Sequence, residues 1–244
     1  MKNKDIVFGI KPIIEVIKSG KTIDKLFIQK SLHNDSFAVL WKLVRSNRIN
    51  YKHVPPEKIN RITRKNHQGV VAFISPIDFY NIEDIVPVIF ESGKNPLILI
   101  LDRITDVRNF GAITRTAECA GVDAILVPEN QSAAINADAI KTSSGALHKI
   151  KICRTWNIKL SIQFLKDSGI QIIGCSEKAK RSIYDVSMQS PTGIIIGSEE
   201  NGISQEYLNM CNYTTKIPIY GTISSLNASV ATGIILYESL RQRS

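Results

Sequence analysis

Hydrophobic positions along this 244-residue chain recur in two rhythms, short unbroken runs and stretches at helical spacing, and their alternation predicts an α/β protein. In a first region, 1–75, Pro12 opens a short helix through Ile17, Leu26 to Gln29 reads as a strand, and Phe37 to Val44 carries helical spacing. A strand at Tyr51 to Val54, a helix from about Pro56 to Ile62 and a strand at Val70 to Ile74 complete a unit with room for a small core only. Between Ser75 and Pro96 the pattern is mixed. Pro76, Pro87, Gly93 and Pro96 surround a modest apolar helix-like segment, Ile82 to Phe90, and 76–95 is expected to be an interdomain linker. From 96 to 244 the chain becomes strand, loop and helix in turn. Leu97 to Leu101, Ala124 to Val127, Ile170 to Cys175, Gly193 to Ile196 and Thr214 to Ile217 read as strands; Ala112 to Ala120, Ile158 to Leu165 and Tyr207 to Met210 read as helices. Such alternation predicts a parallel sheet.

Composition adds a partner class. The formal charge of +9 and a pI near 9.4 imply attraction to a polyanion, most commonly nucleic acid. Four cysteines (Cys119, Cys153, Cys175, Cys211) lie far apart without a C-x-x-C pair and read as reduced core residues. The four histidines (His33, His53, His67, His148) have no metal-ligand spacing, so no metal site is expected. No signal-peptide-like run and no bilayer-length apolar stretch occurs, so the expectation is a cytoplasmic protein with no membrane partner.

Three stretches concentrate candidate chemistry. The corner Arg61, Arg64, Lys65, Asn66, His67, Gln68 and Gly69 is either a solvated turn or a set of donors for phosphates and base edges. No G-x-G-x-x-G and no phosphate-loop motif is present, so a nucleotide-like ligand would be held in another way. After the strand Ile194 to Ile196, the loop Gly197-Ser198-Glu199-Glu200-Asn201-Gly202 is either a plain Asn-Gly turn or a place of close backbone approach to a ligand. Ile217 to Glu238 is a loop closing onto a helix, with Ser225 or Asn227 as N-cap and small residues (Gly221, Ser224, Ser225, Ala228, Ser229, Ala231) dense around it.

The motifs N-F-G-A-I-x-R-T-A from Asn109, I-I-x-G-S-E-x-x-G-I from Ile194 and I-P-I-x-G-x-x-x-S-L-N-A-S-V-A from Ile217 occur complete and in order. Together they resemble the SpoU/TrmH family of RNA ribose 2'-O-methyltransferases, in the knotted SPOUT superfamily. Length and the N-H-Q-G-V run from Asn66 further resemble the branch that methylates a guanosine ribose in large-subunit (23S) ribosomal RNA. The resemblance implies an N-terminal ribosomal-protein-type RNA-binding domain and a C-terminal SPOUT domain ending in a trefoil knot. It also implies S-adenosylmethionine held without metal by backbone around Gly197, Ile217 and Leu226, and a catalytic set of Asn109, Arg115, Glu199, Ser225 and Asn227. Asn109 would cap a helix opening at Phe110, orient the ribose, or both. Glu199 would fix Arg115 or remain a solvated carboxylate. Arg115 would be a base or an electrostatic activator, and the permanent charge of arginine favours the second. Arg61, Arg64, Lys65, His67 and Gln68 would contact ribosomal RNA, and a homodimer would complete each pocket. A transfer RNA substrate is the alternative. A non-catalytic RNA-binding or ribosome-assembly protein is another, against which the intact motif residues argue.

Overall fold

The computed structural model describes residues 6–30, 32, 35–47 and 49–244, so His33 lies outside the described residues. The chain forms two compact units, Met1–Asp78 and Phe79–Ser244.

In the first unit β1 (Ile6–Phe8), α1 (Ile10–Lys18), β2 (Ile23–Gln29), α2 (Asp35–Ser46), β3 (Tyr51–Val54), α3 (Pro56–Ile62) and β4 (Val70–Ile74) follow one another. The sheet order is β1-β4-β2-β3, with β3 parallel to β2 and the other pairs antiparallel. Helix α1 buries Ile10, Ile13, Ile14 and Ile17, one face of a 3.6-residue period, against Leu40 and Val44 of α2 and Leu26, Ile28, Val70 and Ala72 of the sheet. It starts two residues before Pro12, because proline in the first turn forgoes an N–H that has no helical partner anyway. On the other sheet face Ile59 of α3 packs with Val54 and Val71.

The second unit runs α4 (Ile82–Glu91), β5 (Leu97–Asp102), α5 (Val107–Cys119), β6 (Ala124–Pro128), α6 (Ala137–Thr142), β7 (Lys151–Thr155), α7 (Ile158–Asp167), β8 (Gln171–Cys175), β9 (Arg181–Ser182), β10 (Thr192–Gly197), α8 (Gln205–Leu208), β11 (Tyr213–Lys216) and α9 (Ala228–Arg243). All its strand pairs are parallel, in the order β7-β6-β5-β10-β8-β11-β9. β5 and β10 are buried along nearly their whole length, which explains their unbroken Leu/Ile runs. The chain leaves β5 toward β6 and β7 and later returns to β10 on its other side. The sheet order therefore reverses between β5 and β10, the place where open parallel sheets hold ligands.

Two sequence expectations change here. The stretch 76–95 does not behave as a linker, since Ile82, Ile85, Val86 and Ile89 of α4 are part of the second unit's core with Ile98, Ile100, Ile162 and Leu165. That burial offsets the cost of Pro87 within the helix. A fragment beginning at Phe79 should therefore fold, whereas one beginning at Asn95 forfeits four buried side chains, roughly 6–12 kcal/mol, as much as a typical domain's whole stability. Urea melts of the two fragments followed by circular dichroism test this, with no cooperative transition expected for the shorter one. The second change concerns Cys119, which is exposed on α5. Burial pushes the thiols of Cys153 and Cys175 up to about 12 and that of Cys211 up to about 11, so these three stay protonated and unreactive.

Among the described residues no helix is long and apolar enough to cross a membrane, and no group of three or more His, Cys, Asp and Glu converges as metal ligands would.

Candidate active site

The site is built at the carboxyl ends of β5 and β10. Asp102 closes β5 almost fully buried, and its carboxylate accepts from Arg103 Nε at 3.0 Å, Arg103 Nη2 at 3.1 Å, and both the N–H and hydroxyl of Ser204 at 2.7 Å. Arg103, held at φ +58°, also donates to the Gly202 carbonyl at 3.2 Å. Asp102 thus ties the end of one central strand to the loop that follows the other. That loop turns back on itself through Gly202 N–H to the Ser198 carbonyl at 2.9 Å, with Gly202 at φ +60°. Gly197 sits directly beneath it. A Cβ at 197 would overlap the Gly202 carbonyl and the Ile203 nitrogen, so glycine is required by close approach. The turn reading of this loop holds, and the same loop lines a cavity.

Two helices begin at this loop. Asp106 caps α5, accepting from Asn109 N–H at 2.7 Å, and Asn227 caps α9, accepting from Ser229 N–H at 2.9 Å and Val230 N–H at 3.4 Å. Asn109 is therefore inside the first turn of α5, which opens at Val107, and is not its cap. Its side chain faces Glu199. Glu199 Oε1 accepts from Asn227 Nδ2 at 2.6 Å, Asn109 Nδ2 at 2.9 Å and Ala228 N–H at 3.2 Å, while Asn227 Nδ2 also donates to Asn109 Oδ1 at 3.0 Å. A carboxylate between two helix N-termini is electrostatically matched by both macrodipoles. Within one chain Glu199 makes no contact with Arg115, and its carboxylate is tied to Asn109, Asn227 and Ala228 rather than merely solvated.

Glu199 stands between two cavities. One, about 490 Å³, is lined by Gly197, Ile217, Ser225 and Leu226, together with Cys175, Ala228 and Ala231. The other, about 440 Å³, is lined by Arg103, Asp106, Asn109 and Gln131. Ser198, Glu199, Glu200, Asn201 and Ala228 line both. Arg115 lines neither. Six residues along a helix is a rotation of about 600°, or 120° from Asn109, and Arg115 is exposed on α5 with no hydrogen bond or ion pair among the described residues.

The model of the SpoU rRNA Methylase family matches residues 96–237, more than half of the sequence. The chain belongs to this family. A second family model, RNA 2'-O ribose methyltransferase substrate binding, matches residues 6–80. Within the family the chain is similar to a TrmH family tRNA/rRNA methyltransferase of Staphylococcus saprophyticus, 35% identical over 98% of this chain and 96% of the relative. It is also similar to the 23S rRNA (guanosine-2'-O-)-methyltransferase RlmB of Photobacterium profundum, 32% identical over 99% of each. The fold is that of the SpoU methyltransferase AviRb from Streptomyces viridochromogenes, solved with AdoMet, at TM-score 0.62 and 24% identity over 98% of this chain and 90% of that one.

Family membership singles out the three motifs, but the Asp102 network lies at the edge of them. Its signal in the sequence is a charged residue closing an unbroken apolar strand, where burial demands partners for the carboxylate. In the N-terminal unit, Arg61, Arg64 and Lys65 are exposed, whereas His67 and Gln68 do structural work. Gln68, at φ +49°, accepts from Ile10 N–H at 3.0 Å, and His67 Nδ1 accepts from Gly69 N–H at 3.0 Å, leaving Nε2 to donate to Asn60 at 2.8 Å. Lys65 through Gly69, with Ile10, Gln29, Leu32 and Ser36, still line a cavity of about 430 Å³.

Replacing Gly197 with Ala should lower the melting temperature and abolish binding of a ligand in the 490 Å³ cavity, because the added methyl displaces the Gly202 turn. Thermal melts with and without S-adenosylmethionine check both effects. An unchanged ligand-induced shift would remove this loop from the binding site.

Proposed function

We propose that this chain transfers the methyl group of S-adenosylmethionine to the ribose 2'-OH of a guanosine in large-subunit (23S) ribosomal RNA. The observation that carries the proposal is the pair of cavities with Glu199 between them, its three donors drawn from two helix starts. Concave sites for small ligands occupy about 300–1,000 Å³, so the cavity at Gly197, Ile217 and Leu226 suits the cofactor in size. Its small residues and backbone leave room for a nucleoside carrying a sulfonium, which needs no metal to make its methyl electrophilic. When bound there, S-adenosylmethionine would supply an electrophilic methyl. Burial keeps Cys175 at that wall a neutral thiol, so it does not compete for the methyl.

Asn109 faces the other cavity with one amide hydrogen and one oxygen lone pair still unused, enough to orient a ribose hydroxyl. Asn227 and Glu199 hold that amide in place, and Ser225 borders the cofactor side. Arginine carries a permanent charge, so the role of Arg115 would be to grip a phosphate and stabilise the developing alkoxide. It does so from a partner subunit. The support is an exposed apolar stripe on α9, Val230, Tyr237 and Leu240, beside α5, against which α9 packs with Gly233 on Thr116. In the homodimer proposed through this stripe, Arg115 of one chain would serve the pocket of the other, and the knotted C-terminal arrangement of the SPOUT superfamily is part of the same reading. The N-terminal unit would hold the RNA through Arg61, Arg64 and Lys65, with His67 and Gln68 shaping the turn. The place of action is the cytoplasm.

The test is ribose-methylation mapping of ribosomal and transfer RNA from cells with and without the gene, paired with methyl transfer by the purified protein. Loss of one 2'-O-methylguanosine in 23S RNA is expected. Loss in transfer RNA instead would select the alternative substrate, an outcome to which the tRNA/rRNA naming of the Staphylococcus relative gives weight. No lost methyl group, with no transfer in vitro, would leave a binding protein.

A further inference from the structure

Charge is divided unevenly between the two units. Residues 1–78 hold 15 Lys and Arg against 6 Asp and Glu, which is the whole formal +9, whereas residues 79–244 hold 16 of each. The net attraction to a polyanion therefore comes from the first unit. Its basic corner at Arg61 to Lys65 offers cations for phosphates, but cations alone read neither bases nor strandedness.

A second surface of this unit has different chemistry. Phe37 stacks on Trp41 four residues later in α2, at 5.9 Å between centroids and 28° between planes. Trp41 meets Tyr51 of β3 edge-on at 4.9 Å and lies 6.2 Å from His53, which is itself 5.5 Å from Tyr51 and nearly perpendicular to it. The Arg45 guanidinium lies 5.4 Å from the Trp41 ring centroid. Tyr51 and His53, two residues apart on a strand, share a sheet face. β3 is an outer strand, and of its four residues only Val54 is buried. The core therefore does not account for Tyr51 and His53. Exposed edge strands are normally guarded by charge, and Lys52 alone does that here. Two rings left exposed on such an edge, backed by an indole and a guanidinium in the basic half of the chain, match the combination that binds single-stranded nucleic acid: ring surface for bases beside cations for the backbone.

We infer that Trp41, Tyr51 and His53, with Arg45 beside them, form a platform on which an unpaired nucleobase of the RNA substrate stacks. The inference rests on the reading that the substrate is RNA. It adds a discriminating feature, because stacking on aromatic rings tolerates any base but demands that the base be out of a duplex.

The test uses the full chain with Trp156→Phe. Trp156 is 74% exposed and the chain has two tryptophans, so Trp41 becomes the sole indole reporter. Titration with a single-stranded RNA oligonucleotide should quench Trp41 fluorescence, and the same strand annealed to its complement should not. Tyr51→Ala, and separately Trp41→Leu followed by filter binding, should weaken single-strand affinity about fivefold or more. The slope of log affinity against log salt should stay unchanged, since no phosphate contact is lost. Because quenching is read on intact rings, a variant that fails to fold does not remove the test. Equal quenching by duplex, absence of quenching, or full affinity in folded Tyr51→Ala would overturn the platform. So would a shallower salt slope, or a defect seen only with assembled ribosomal particles, which would mean a protein contact. Failure of the unmutated protein to bind or methylate any RNA would instead sink the functional reading. Methylation with an unchanged KM in Tyr51→Ala would sink the platform alone.

Discussion

Glu199→Ala should reduce methyl transfer on the order of 10²-fold or more while leaving the fold intact, because it releases both amides that flank the proposed reaction centre, and small misplacements at such centres cost that much. Glu199 Oε1 receives the Asn227 amide, the Asn109 amide and the Ala228 N–H together. Without it, Asn227 still caps α9 through its oxygen, but its nitrogen keeps only Asn109 as acceptor. The loss should fall on the rate of a single turnover more than on cofactor affinity, since the cavity at Gly197, Ile217 and Leu226 keeps its other walls. Glu199→Gln separates charge from geometry. An amide oxygen in the same place can accept all three bonds, so if positioning is the role, the glutamine variant should stay within about tenfold of the parent, losing only the extra strength of charge-assisted bonds. If glutamine is as damaging as alanine, the negative charge itself takes part. If neither variant slows transfer, the Asn109–Glu199–Asn227 triangle is architectural.

Much of the fold was legible because burial on both sheet faces leaves unbroken apolar runs. β5, β6, β8 and β10 each sit within a residue of their predicted bounds, and β3, α3 and β4 match theirs. What escaped was short or polar at its ends. β1 and β9 have three and two residues and show no period. α5 begins five residues before Ala112, because the polar turn Val107 to Asn109 is made helical by the Asp106 cap and not by an apolar stripe. α4 was visible as an apolar segment, but Pro87 within it and Pro76 and Pro96 around it suggested a connection, and only packing reveals it as core. At the site, sequence named loops that the structure brings together but not their pairings. Glu199 lies 90 residues from Asn109 and 28 from Asn227, so no local pattern could join them. For Arg115 the helical period alone already opposed a shared pocket with Asn109 in one chain.

That opposition leads to the second large effect. Arg115→Ala and Asn227→Ala should each abolish methyl transfer as pure homodimers, yet a mixture of the two, unfolded and refolded together, should regain activity. In a two-fold dimer whose pockets borrow Arg115 from the neighbour, each mixed dimer holds one pocket with both residues native and one with both replaced. Random pairing makes half the dimers mixed, so recovery should reach about a quarter of the parent's activity. If Arg115 served the pocket of its own chain, every pocket in the mixture would lack one residue and recovery would be nil. The geometry favours recovery: Arg115 is exposed on α5 outside both cavities, and the Val230, Tyr237 and Leu240 stripe beside it is the apolar surface that a second copy would cover. Light scattering fixes the other branch. A monomer at micromolar concentration that still methylates RNA would require Arg115 to act within its own chain or not at all, and refolded mixtures would then stay inactive.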